Sequence, residues 1–74
     1  MSEQQAVILV DSTSHALRIE KLLQQHHLAC KLVPVPRHLS SDCGVCVRIS
    51  AQQAAAVRQL LTEHQVEFQS IEVV

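Results

Sequence analysis

Five consecutive apolar residues, Ala6, Val7, Ile8, Leu9 and Val10, constrain this chain more than any other feature. A strand turns alternate side chains to opposite faces, so a run that is apolar in both phases needs cover on both sides of a sheet. Asp11, Ser12, Thr13 and Ser14 follow at once and are turn and helix-start residues, so a strand leading into a helix is expected. The run is far short of the roughly 20 residues that span a bilayer. Residues 1–5 are polar and lack the basic start of a secretory signal, so no membrane association is expected and the cytoplasm is the expected location.

From Ala16 the apolar positions Ala16, Ile19, Leu22 and Leu23 fall within one arc at about 100° per residue, which gives an amphipathic helix ending near His27. A second strand is expected from Cys30 to Val35, and Pro34 and Pro36 assign it to an edge, because proline donates nothing to a ladder. Residues 36–44 hold serines, an aspartate and the only glycine, and form the one long loop. Val45, Val47 and Ile49 alternate with Cys46 and Arg48 as a third strand. Ser50 with Gln53 has the spacing of a capping box for a second helix striped by Ala54, Val57 and Leu61. Val66 and Phe68 begin a last strand, and a bulge near Gln69 and Ser70 brings Ile71 and Val73 back into phase. No repeat is evident.

The order β-α-β-β-α-β predicts an α+β, ferredoxin-like sandwich: a four-stranded antiparallel sheet with two helices on one face, spanning residues 1–74 as a single domain. The second face is then bare, although strand one is apolar there too. A homodimer is the simplest cover. It also suits a chain of 74 residues, whose small core leaves a thin stability margin.

Six Lys and Arg against seven Asp and Glu leave no electrostatic footprint for nucleic acid. The single aromatic residue, Phe68, excludes a base-stacking platform. Three cysteines, an odd number without a secretory signal, read as thiols and not as a disulfide framework.

The predicted topology gathers residues 11–15 and the loop 36–44 at one edge of the sheet, and His26, His27 and Ser50 at the other. Cys43 is the central candidate at the first edge. It precedes Gly44, which permits a tight turn and close approach by another molecule. A helix start nearby, with Arg37 and a protonated His15, favours a thiolate. The Cys43-x-x-Cys46 spacing is a weak redox or metal signal, because residues three apart on a strand face opposite sides and no second pair completes a zinc site. Cys30 reads as a small core residue. His26, His27 and His64 read as favourable charges at helix C-termini, Glu20 as a solvated helix charge, and Arg37 as a guanidinium held by the stiff Pro34-Val35-Pro36 backbone.

At these residues the chain resembles the small selenium/sulfur carrier-like family. The resemblance covers nearly the whole chain. It rests on Ser12-Thr13-Ser14-His15-Ala16, Glu20-Lys21-Leu22-Leu23, Val33-Pro34-Val35-Pro36-Arg37 and Ser40-Ser41-Asp42-Cys43-Gly44. It implies that Cys43 is a carrier thiol surrounded by Ser12, His15, Arg37, Ser40, Ser41 and Gly44. On this basis Cys43 accepts sulfur or selenium from a donor protein, as a persulfide or selenosulfide, and hands it to an acceptor enzyme, the carrier itself being no enzyme and needing no cofactor. The sequence departs from the family pattern at Cys46, where a small residue is expected, and at His38, where an acidic or apolar residue is usual. Two rival readings remain: a non-catalytic dimeric module that binds a small anion or a partner loop, and a thiol or metal sensor that pairs Cys43 with Cys46 or His15.

Overall fold

The computed structural model describes residues 4–39 and 44–74. The elements run β1 (Gln5–Leu9), α1 (Thr13–Gln25), β2 (Lys31–Pro34), β3 (Val45–Ser50), a 3₁₀ turn (Ala51–Gln53), α2 (Ala54–Glu63) and β4 (Ser70–Val73). The strands form one antiparallel sheet in the order β2-β3-β1-β4, the arrangement expected of a ferredoxin-like α+β sandwich.

The two phases of β1 are divided between two apolar clusters. Ala6, Ile8 and Val10 join Val47 and Ile49 on the face that receives Ala16, Ile19 and Leu23 of α1 and Val57 and Leu61 of α2. Val7 and Leu9 take the opposite face with Cys46, where Val33, Val35 and Leu39 pack against them. Val7 is 1% exposed and Leu9 5% within the single chain. The edge strand β2 and the start of the loop thus supply, within one chain, cover for the face that a homodimer is expected to close.

The helices end in the same way. The Leu28 N–H donates to Leu23 O (2.9 Å) and that of His27 to Gln24 O (3.1 Å). Val66 and Gln65 repeat this on Leu61 O (2.9 Å) and Thr62 O (3.1 Å). These are the paired bonds of a Schellman motif, with His26 and His64 at the caps. The left-handed positions are filled by His27 (φ 60°) and Gln65 (φ 56°), not by glycine. The parallel is visible in the residues as Leu22-Leu23-x-x-His26-x-Leu28 and Leu60-Leu61-x-x-His64-x-Val66, a local repeat absent from the sequence reading. The His26 and His64 rings meet edge to face at 5.7 Å.

Two local expectations change. Val66 is spent as the apolar residue that closes α2 against the core, so β4 begins only at Ser70; Phe68 lies outside the strand, packed on the core beneath the Arg58 guanidinium. The out-of-phase apolar residues therefore belong to different elements and no bulge is required. The capping box at Ser50 and Gln53 does not form, because Ser50 still belongs to β3 and the chain enters α2 through a 3₁₀ turn in which neither side chain caps a helix N–H.

Candidate functional site

The head of α1 sits where β1 leaves the sheet. Ser12 is extended (φ −152°, ψ 160°) and caps the helix: its carbonyl accepts from Ala16 N–H (3.2 Å), and its Oγ accepts from His15 N–H (3.4 Å). The His15 ring folds back onto the same hydroxyl, with Nδ1 3.1 Å from Ser12 Oγ. His15 thus occupies the helix position from which a Glu or Gln closes a capping box, with an imidazole in its place. In a neutral ring whose Nδ1 accepts the Ser12 hydroxyl, Nε2 carries the proton; in the charged ring both nitrogens donate. In the other neutral tautomer Nδ1 donates to Ser12 Oγ and Nε2 accepts, so in every state Nε2 is the ring nitrogen left facing away from Ser12. The first turn of α1 contains no acidic residue, so the positive end of the helix is not neutralised from within.

Asp11 precedes the cap, and its carboxylate accepts from Gln69 Nε2, while Gln69 N–H donates to Leu9 O (2.7 Å). Gln69 therefore ties the start of β4 to the head of α1. No sequence signal identified it, since it lies 58 residues from Asp11.

The loop reaches the same end of the sheet. Beyond the Pro34–Val45 pair, Val35 N–H donates to Gly44 O (3.2 Å) and closes the ladder. A turn follows in which Leu39 N–H donates to Pro36 O (3.0 Å), so Arg37 and His38 are its two exposed central residues. Gly44 is exposed, does not adopt a left-handed backbone, and has nothing within 4 Å of the place a Cβ would occupy. Among the described residues nothing at Gly44 itself demands a glycine, and the preceding residues, where the tight turn is expected, lie outside the described ones.

Ser12 and His15 are thus in contact, and Arg37 and Gly44 stand at the same end of the sheet. Among the described residues no hydrogen bond or ion pair joins Arg37 to the other two. Ser40, Ser41 and Cys43 lie outside the described residues.

The other cysteines have distinct settings. Cys46 is fully buried on the second face, its Sγ 3.8 Å from Pro34 O. Cys30 packs against the helix-side core but is only half-buried. Its thiol donates to Glu20 O at 3.8 Å. Burial pushes the Cys30 thiol above the ordinary range, and the nearby Glu20 carboxylate raises it further. Glu20, read as a solvated helix charge, is half-buried beside this thiol. Among the described residues no three His, Cys, Asp or Glu converge as metal ligands, and no helix is long and apolar enough to cross a membrane.

A family model described as "Putative Se/S carrier protein-like" matches residues 5–72. The chain belongs to that family. The matched span runs from the first residue of β1 into β4 and takes in the Cys43-Gly44 pair and every residue of the α1 head. The family name suggests a carrier of selenium or sulfur and not a catalyst. No curated protein and no solved structure matches the chain.

Proposed function

We propose that this Se/S carrier-like protein accepts sulfur or selenium on Cys43 and delivers it to an acceptor enzyme. The family match across Cys43-Gly44 is the observation that carries this reading. Cys43 is covalently joined to Gly44, at the sheet end where α1 begins with an unneutralised first turn and the Ser12–His15 pair.

In the loading step the Cys43 thiolate attacks the terminal sulfur of a donor protein's persulfide. The donor S–S bond breaks, its electron pair leaves with the donor thiolate, and Cys43 becomes a persulfide with no external oxidant. Delivery is the same displacement by a nucleophile of the acceptor. The selenium counterpart forms a selenosulfide. The Arg37 guanidinium and, in the states where Nε2 carries a proton, the His15 ring are donors for the terminal anion, with Ser40, Ser41 and the Gly44 N–H as further hydrogen-bonding groups. Donor and acceptor proteins are the partners this chemistry requires.

Intact mass after incubation with a cysteine desulfurase and cysteine tests the proposal. A gain of one or more sulfur masses is expected, and it should vanish in Cys43→Ser while surviving in Cys30→Ser. Absence of any gain, or a gain retained in Cys43→Ser, rejects Cys43 as the carrier thiol.

A further inference from the structure

The opposite end of the sheet contains a notch that the carrier reading does not use. β2 begins at Lys31, paired with Arg48, so Ile49 and Ser50 of β3 have partners on β1 but none on β2. The gap is an open depression of about 340 Å³, lined by Gln4, Gln5, Cys30, Lys31, Arg48 and Ser50 among others.

Lys31 and Arg48 are directly opposite each other in the antiparallel register, so both project from the face away from the helices. Two of the chain's six cations thus stand side by side, an arrangement that destabilises a sheet unless something negative intervenes. Among the described residues nothing negative does: along this row Arg48 is followed by Val7 and only then by Glu72, and neither cation forms an ion pair there. In a chain of net charge −1, this local conflict is the kind that folds retain at a binding site.

We infer that this notch binds a small phosphorylated molecule, with Lys31 and Arg48 gripping the phosphate. Arg48 is half-buried in the wall and offers a planar fork matched to phosphate oxygens, and Lys31 is exposed and adds a mobile point charge. The concavity favours a small ligand over a flat acidic protein surface, and its volume leaves room for more than the phosphate alone. The Gln4 and Gln5 amides line the remainder. This inference stands independently of Cys43.

The test is amide NMR of the full chain titrated with inorganic phosphate and with pyrophosphate, against sodium chloride at equal ionic strength. Saturating shifts centred on residues 29–31 and 48–50 are expected. Affinity should fall at least ten-fold in Lys31→Gln and in Arg48→Gln, and hold in Lys21→Gln, which alters a second basic groove beside Arg18 and His64. Both notch variants should unfold at or above the parent's temperature without phosphate, since each removes a like-charge contact. Shifts that match chloride, saturation confined to the Lys21 groove, or an acidic peptide binding the notch where both phosphates fail would overturn the assignment. A lower unfolding temperature in both variants would show that the pair is already neutralised and would overturn it equally.

Discussion

The two ends of the sheet place similar chemical groups in opposite electrostatic settings. At one end, Gly44 follows a cysteine and α1 begins with no acidic residue in its first turn, while the Asp11 carboxylate just before the cap accepts a hydrogen bond from Gln69. At the other, Cys30 faces α1 part-way along its length, its thiol donating to the Glu20 carbonyl and burial and the Glu20 carboxylate both disfavouring a thiolate. The cations at that end do not rescue it, because Lys31 and Arg48 project from the other face of the sheet. On the proposed carrier reading Cys43 belongs to the first of these settings, whereas burial, and then the Glu20 carboxylate, hold the Cys30 thiol above its ordinary range.

The largest expected effect lies in that contrast. Under trace iodoacetamide at neutral pH, Cys43 should alkylate at least ten-fold faster than Cys30, as read by peptide mass. Equal rates would remove the distinction between the ends. Cys30 also carries a pH signature. Its folded pKa is raised, so the folded chain holds the thiol proton more tightly than the unfolded chain. Its contribution to stability is complete below the ordinary thiol range and is lost as pH rises through that range to the folded value. Urea unfolding should thus weaken with alkaline pH, and less steeply in Cys30→Ala. A Cys30→Ala curve parallel to the parent's would mean that the thiol is not shielded.

A smaller effect is expected at the head of α1. Ser12→Ala removes a hydroxyl that caps the helix and holds the His15 ring, and N-cap deletions cost about 1 kcal/mol. Ser12→Asn retains a side-chain acceptor for the helix N–H and should recover most of that stability in denaturant melts. It should not restore the original imidazole contact. A loading rate that returns together with stability would make Ser12 only a cap; a rate that stays low would assign the His15 contact to the carrier step.

Much of this architecture is legible in the residues because local and global signals agree. The stripe Ala16, Ile19, Leu22, Leu23 packs as its period requires, and Pro34 lies in an edge strand as its missing N–H dictates. The Ser12 cap is equally local, since its partner is three residues away. The misses share a cause. His27 and Gln65 take left-handed backbone positions that glycine usually marks, so the ends of both helices lack their ordinary signature. Val66 then reads as the start of a strand when it is the closing residue of a helix. The cover over Val7 and Leu9, and the Gln69–Asp11 bond, depend on residues brought together from far apart in the chain. No spacing rule reports those.

The smallest structural effect, and the sharpest functional one, is expected at Gly44. Among the described residues a methyl group there meets nothing within 4 Å, and the backbone needs no left-handed conformation. Gly44→Ala should therefore leave stability within about 0.5 kcal/mol of the parent, as exposed substitutions without a special role do. On the proposed carrier reading a donor or acceptor protein closes on Cys43 beside this residue, and there even a methyl group would displace the approaching chain. Desulfurase-dependent loading is expected to slow several-fold in Gly44→Ala, while loading by a small inorganic polysulfide stays at the parent rate. Equal slowing by both would locate the effect in the thiol itself. No slowing by either would mean that the partner approaches from elsewhere, and the contrast between the two ends of the sheet would then rest on electrostatics alone.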